Sequence, residues 1–111
     1  MQVWIGPQNG LNFLPQNVNS TAATIAAPSG VTGQIIRVYK IFLVVGGATN
    51  ITFQDGSTAL CGALPMLANG AISLPNDGTP WFTTSSGNAF NIANSGGAQV
   101  SGIVYYTINN A

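Results

Sequence analysis

Four side chains in this 111-residue sequence carry a charge at neutral pH, and they are the first candidates for chemistry. They are Arg37, Lys40, Asp55 and Asp77, and the sequence contains neither histidine nor glutamate. General acid–base catalysis needs a group that titrates near neutral pH, most often histidine or a carboxylic acid. Each aspartate precedes a glycine, which favours a role in turn geometry over a catalytic carboxylate pair. The sequence therefore predicts that the chain is not an enzyme.

The remaining reactive side chains lack the partners that catalysis or ligand binding requires. Cys61 has no histidine to activate it, so a small buried hydrophobic residue is the favoured interpretation. Serine hydroxyls lack a histidine base for the same reason. No Cys/His cluster suits zinc, no carboxylate run suits calcium, and no glycine pair begins a phosphate loop. We expect no catalytic, cofactor-binding or metal-binding residues and no cofactor.

The composition limits the classes of partner. Charged residues make up 4% of the sequence, whereas about 25% is usual for a soluble domain. The formal net charge is zero, so nothing attracts a nucleic acid or an anionic lipid surface. No apolar run approaches the roughly 20 residues that span a bilayer. We expect neither a nucleic-acid nor a membrane partner, and the weak charge repulsion favours association with protein.

Short β-branched and aromatic runs separated by turn residues predict an all-β fold, a sandwich or a barrel. Helix formers are scarce, and 14 glycines and 6 prolines interrupt most stretches. Residues 18–111 are predicted to form one domain, preceded by an extended arm over residues 1–17. The predicted strands cover residues 34–45, 48–54, 71–74, 81–84, 89–93 and 99–108.

The strongest predicted strand, Gln34–Val45, is mostly apolar on both faces, as a strand covered on both sides would be. A neighbouring subunit is one candidate for the second cover. Arg37 and Lys40 lie on opposite faces if the strand has no bulge. Their heads either extend past the sheet to water or form salt bridges with Asp55 or Asp77. In the last strand, Gly102 indicates a bulge or a close backbone approach.

The arm carries apolar residues that need a partner surface, either the chain's own domain or another protein. Trp4 suits an interface, because tryptophan is enriched in interface hot spots. Trp81, between proline and phenylalanine, is expected in the core. The predicted protein interface comprises residues from the arm and from the strongest strand: Val3, Trp4, Ile5, Leu11, Phe13, Leu14, Arg37, Tyr39 and Lys40.

Three stretches, residues 35–56, 64–92 and 100–107, resemble a family of small virion proteins of tailed bacteriophages, most closely capsid decoration (cement) proteins. The resemblance covers about Val18 to Ile108. It implies an antiparallel β-sandwich of jelly-roll type, a homotrimer, and the major capsid protein as partner. It also implies synthesis in the cytoplasm of the bacterial host and a final location on the capsid surface.

The resemblance leads to two expectations of function. The first is a structural protein that binds the outside of a phage head and stabilises contacts between major capsid proteins. The alternative is a tail or fibre module that binds host surface glycan. In that alternative Trp81, Tyr105 and Tyr106 would stack on sugars beside asparagine side chains.

Overall fold

A computed structural model gives the fold of the chain and describes residues 13–27 and 31–110. Every regular element in this part of the chain is a β-strand, and every strand pairing is antiparallel. The predicted all-β fold is therefore confirmed. In chain order the strands are β1 (Leu14–Ser20), β2 (Thr24–Ala27), β3 (Gln34–Val45), β4 (Thr49–Asp55), β5 (Thr58–Ala59), β6 (Leu64–Met66), β7 (Ala71–Leu74), β8 (Phe82–Thr83), β9 (Phe90–Asn94) and β10 (Val100–Asn110).

The strands form two five-stranded sheets in a sandwich-like arrangement. The first sheet has the order β1-β10-β3, and the short strands β7 and β8 pair with successive parts of the free edge of β3. The second has the order β2-β9-β4, and β5 and β6 share the free edge of β4 in the same way. On one side, therefore, the edge of each sheet consists of two short strands with a break between them, which is called an interrupted edge.

One hydrophobic core joins the two sheets, because alternate residues of both project into the same cluster. Phe53 and Phe90 come from the second sheet and Phe82 from the first, with ring centroids 5.1–5.9 Å apart. The fully or largely buried members of the core are Val18, Ile25, Ala27, Ile36, Val38, Ile41, Leu43, Val45, Ile51, Phe53, Phe90, Ile92, Val100, Val104 and Tyr106.

A β-bulge interrupts the pairing of β3 with β10. Tyr105 lies opposite Lys40, but the next residue, Tyr106, lies opposite Val38. Tyr39 is thus the extra residue on β3, and the inward and outward positions change parity there. As a result, Arg37 and Lys40 lie on the same face of the sheet, the one that points away from the core.

Most predicted strands agree with the structure to within two residues. The bounds of β3 and β7 are as predicted, and β4, β8, β9 and β10 are shifted by one or two residues. The strands β1, β2, β5 and β6 were not predicted. The predicted end of the arm at residue 17 falls inside β1, which pairs with β10 from Leu14 onwards.

Gly102 marks a close backbone approach, as one of the two predicted alternatives had it. Its φ is +150°, and a Cβ built there would lie 1.8 Å from the carbonyl oxygen of Phe42 on β3. The bulge of this strand pair lies elsewhere, at Tyr39 of β3, opposite the step from Tyr105 to Tyr106. Only glycine therefore fits here without a shift of the backbone.

Candidate protein interface

The candidate site is the side of the first sheet that points away from the core. On β3 the core residues alternate with Arg37, Lys40, Phe42 and Val44, and on β10 they alternate with Ile103 and Tyr105. These six residues make up the outer face. Strand pairing places Phe42 opposite Ile103 and Lys40 opposite Tyr105, so that the six side chains form one continuous patch.

The outer face combines exposed apolar surface with polar borders. Phe42 is 43% exposed although it occupies the middle of the longest strand. The flanking strands contribute small or polar residues at the same register, among them Asn17 on β1 and Ser73 on β7. A half-exposed aromatic residue on a rigid central strand, bordered by amides and hydroxyls, is typical of a protein interface.

Both cationic side chains of the sequence belong to the outer face. The ammonium group of Lys40 lies 5.5 Å from the ring centroid of Tyr105, within the range of a cation–π contact. Arg37 lies opposite Thr107 on β10 and Thr83 on β8. The six residues include no carboxylate, so this face carries two positive charges on a chain whose net charge is zero.

Phe13 and Tyr39, two residues of the predicted interface, contact each other. Their rings meet edge to face with centroids 5.1 Å apart, and Tyr39 is buried. Leu14 begins β1 and is 40% exposed. The other predicted interface residues of the arm, Val3, Trp4, Ile5 and Leu11, lie outside the described residues.

Asp55 is bound by neutral donors, and it holds a loop. Ser85 donates to it through its backbone N–H (3.0 Å) and its hydroxyl (2.7 Å), and the Asn88 amide donates at 2.9 Å. Partial burial raises the pKa of the Asp55 carboxyl, but these three hydrogen bonds outweigh that effect and hold the pKa below its usual value. The carboxylate thus ties the end of β4 to the segment between β8 and β9.

Asp77 has the turn role that the sequence predicts. Its carboxylate accepts a hydrogen bond from the backbone N–H of Thr79 at 3.0 Å, and Gly78 between them has a φ of +95°. This is the geometry of an Asx turn. Asp55 is the last residue of β4 in the second sheet and Asp77 lies between β7 and β8, and neither is one of the six outer-face residues.

Trp81 is not a core residue, contrary to the sequence-based expectation. It is 41% exposed, and its indole N–H donates to the carbonyl oxygen of Pro75. The reason is the alternation of the strand that follows, in which Phe82 packs against the core. Cys61 is half-buried and packs against the core, close to the predicted role of a buried hydrophobic residue.

The aromatic residues proposed to stack on sugars do not share one surface. Tyr105 belongs to the outer face, whereas its neighbour Tyr106 points into the core and is 5% exposed. Burial raises the pKa of the Tyr106 hydroxyl. Tyr106 is therefore unavailable to a ligand on the surface unless the core opens.

Within residues 13–27 and 31–110 no cavity of ligand size is found, and no three metal-ligating side chains lie close together. The same part of the chain contains no helix with the length and apolar character to cross a membrane. Comparison with known protein families, with curated proteins and with solved structures gave no match to this chain.

Proposed function

We propose that this chain is a structural virion protein, a capsid decoration protein of a tailed phage that is not an enzyme. It binds the outside of the head and adds buried contact area across the junctions between major capsid proteins. Its location in this proposal is the capsid surface, after synthesis in the cytoplasm of the bacterial host. The major capsid protein is its partner.

One observation carries the proposal: the outer face presents Phe42 and Ile103 on two central strands rather than in a cleft. Central strands are held by neighbours on both sides, so that this surface is preorganised for contact with another protein. Asp55, one of the two side-chain carboxylates, is already occupied by Ser85 and Asn88. That role supports a structural protein better than an acid–base catalyst.

The strand order supports the finer assignment of a jelly roll. The pair β5 and β6 and the pair β7 and β8 each act as one broken strand along a shared edge. Counted in that way the ten strands become eight, and the sheets have the orders 1-8-3-6 and 2-7-4-5. A jelly roll consists of eight antiparallel strands in two sheets, and it is common among viral capsid domains.

A homotrimer is part of the proposal. The charged fraction of 4% gives little repulsion between copies, which favours a multi-copy assembly. The mass of the purified protein in solution, measured by sedimentation equilibrium, is expected to be three times that of the 11.4 kDa chain. A monomeric mass at micromolar concentration would exclude a stable trimer.

The function is tested with shells assembled from the major capsid protein of the phage that encodes the chain. The purified protein is expected to co-sediment with these shells to a saturating stoichiometry and to raise the temperature at which they rupture. Absence of binding at micromolar concentration would contradict the proposal. Binding to host cells or glycans instead would support the tail-module alternative.

A further inference from the structure

We propose that the outer face is the surface that docks on the shell, and that the matching site is an apolar cleft bordered by carboxylates. This inference rests on the proposed function, because it names the surface and the partner chemistry through which that function would operate. Phe42 is the residue that enters the cleft, and Lys40 and Arg37 face the carboxylates.

The shape of the outer face supports an apolar cleft as the partner. Phe42 is 43% exposed on a strand that also supplies five core residues, and its cross-strand neighbour is Ile103. Val44 extends the apolar patch along β3. Large exposed residues at the centre of such a patch provide most of the binding free energy once a partner excludes water from them.

The charge distribution supports carboxylates at the border of that cleft. The two cations of the sequence both belong to the outer face, whereas Asp55 ends β4 and Asp77 lies in the turn between β7 and β8. The β-bulge at Tyr39 is responsible, because it brings Arg37 and Lys40 to the same side. Two positive charges on a face whose six residues include no carboxylate are complementary to an acidic surface.

A nucleic acid would fit this face poorly. Two cations are fewer than the several phosphate contacts that give useful affinity. Phe42, Val44 and Ile103 would meet the charged backbone instead of apolar atoms. The mixed apolar and cationic surface therefore favours a protein partner.

The test measures the affinity of single variants for the assembled shells, with a control matched to each change. Phe42→Ser removes an exposed apolar side chain from the outer face, and Leu67→Ser removes one from the loop between β6 and β7, where Leu67 is 80% exposed. Lys40→Gln and Thr24→Glu each lower the net charge by one, but Thr24 lies in the second sheet.

The variants on the outer face are expected to lose affinity, and the controls are expected to bind as the wild-type chain does. Phe42→Ser weakens binding about 30-fold, the effect of a hot-spot residue. Lys40→Gln and Arg37→Gln each weaken it about threefold to tenfold, and each reduces the dependence of binding on salt. Unchanged thermal unfolding of each variant shows that the loss arises at the interface.

The outcomes separate this inference from the proposed function. If the wild-type chain binds the shells and the Phe42, Lys40 and Arg37 variants bind equally well, the docking face is wrong and the function stands. If these variants lower the mass of the free protein instead of shell occupancy, the outer face is a contact between copies of the chain and the inference fails. If the wild-type chain does not bind, both proposals fail.

Discussion

Gly102 and Asp55 show how single residues hold the two sheets and their loops in place. Gly102 allows the backbones of β10 and β3 to approach where no side chain fits. Asp55 fixes the segment that precedes β9 through three neutral donors. The sequence predicts a turn at Asp55 and a bulge or a close backbone approach at Gly102. Their partners, Phe42, Ser85 and Asn88, are distant in sequence and become neighbours only in the folded chain.

Replacement of Gly102 by alanine is expected to destabilise the protein by about 3 kcal/mol, because the added Cβ would overlap the Phe42 carbonyl group. Chemical denaturation of the purified variant measures this loss. Gly62→Ala is the matched control, since a Cβ at Gly62 meets nothing within 4 Å. Equal stability of the two variants would show that the strands separate at Gly102 at little cost.

The lowered pKa of Asp55 predicts a loss of stability in acid. A carboxyl group whose pKa is lower in the folded state stabilises the fold at pH values above its ordinary pKa, which is 3.8 for Asp55. That stabilisation is lost as the pH falls through the folded pKa. Asp55→Asn is expected to reduce the free energy of unfolding by about 1 kcal/mol at pH 7 and to flatten the decline below pH 4.

Denaturation at pH 7 and at pH 3 measures both effects of the Asp55 variant. Asp77→Asn is the control for loss of a negative charge, because its amide oxygen can accept the same hydrogen bond from Thr79. An acid dependence that is as steep in the Asp55 variant as in the wild-type protein would contradict the assignment.

At the scale of elements, the sequence predicted strands well where packing and propensity agree. The bounds of β3 follow from a run rich in β-branched and aromatic residues between turn signals. In contrast, β1 contains Pro15 and three amide residues, and its alternation is weak. Pairing with β10, which is distant in sequence, makes this segment a strand, and such pairing leaves no local signal.

The bulge in β3 was not predictable for a related reason. Apolar residues occupy both faces of this strand, so a change of parity at Tyr39 leaves the pattern equally apolar before and after it. The sequence therefore left open whether Arg37 and Lys40 share a face. For the same reason the sequence did not reveal the candidate site. Arg37 and Lys40 join the apolar residues of the outer face in one patch only because the bulge is present.

The bulge makes deletion of Tyr39 less damaging than deletion of its neighbours. Without Tyr39, Val38 is followed by Lys40 and regular alternation places Ile41 towards the core, as it is now. The deletion variant is expected to unfold cooperatively with a loss of about 1–3 kcal/mol, partly from the lost contact with Phe13. Thermal unfolding followed by circular dichroism measures this.

Deletion of Phe42 is the matched comparison for the Tyr39 deletion. It would turn Leu43 and Val45 away from the core, or force the rest of β3 to slip by one residue. This variant is expected to lose cooperative unfolding altogether. Equal tolerance of the two deletions would show that the bulge does not set the register of β3.

At the scale of the whole molecule, the scarcity of charge has a consequence for its response to pH. The sequence has no histidine, so no side chain has an ordinary pKa between 5 and 7. The numbers of protons bound by the folded and unfolded states therefore stay equal over this range. The free energy of unfolding is expected to vary by less than about 0.5 kcal/mol from pH 5 to pH 7.

Denaturation curves at half-unit pH intervals check this expectation, with ionic strength held constant. A slope within that window would reveal a strongly displaced ionisation. The composition already predicted this behaviour, whereas the placement of the four charges, with both cations on one face, emerged only from the fold.

The interrupted edges of the two sheets bear on how the protein avoids fibre formation at high local concentration. A long, flat, unpaired strand invites a second chain to add to it, and stacked additions of this kind grow into amyloid. Here one edge of each sheet is divided between two pieces of two to four residues, and Pro15 lies in the edge strand β1. Many copies can therefore crowd together with few places where a neighbour's backbone could continue a sheet.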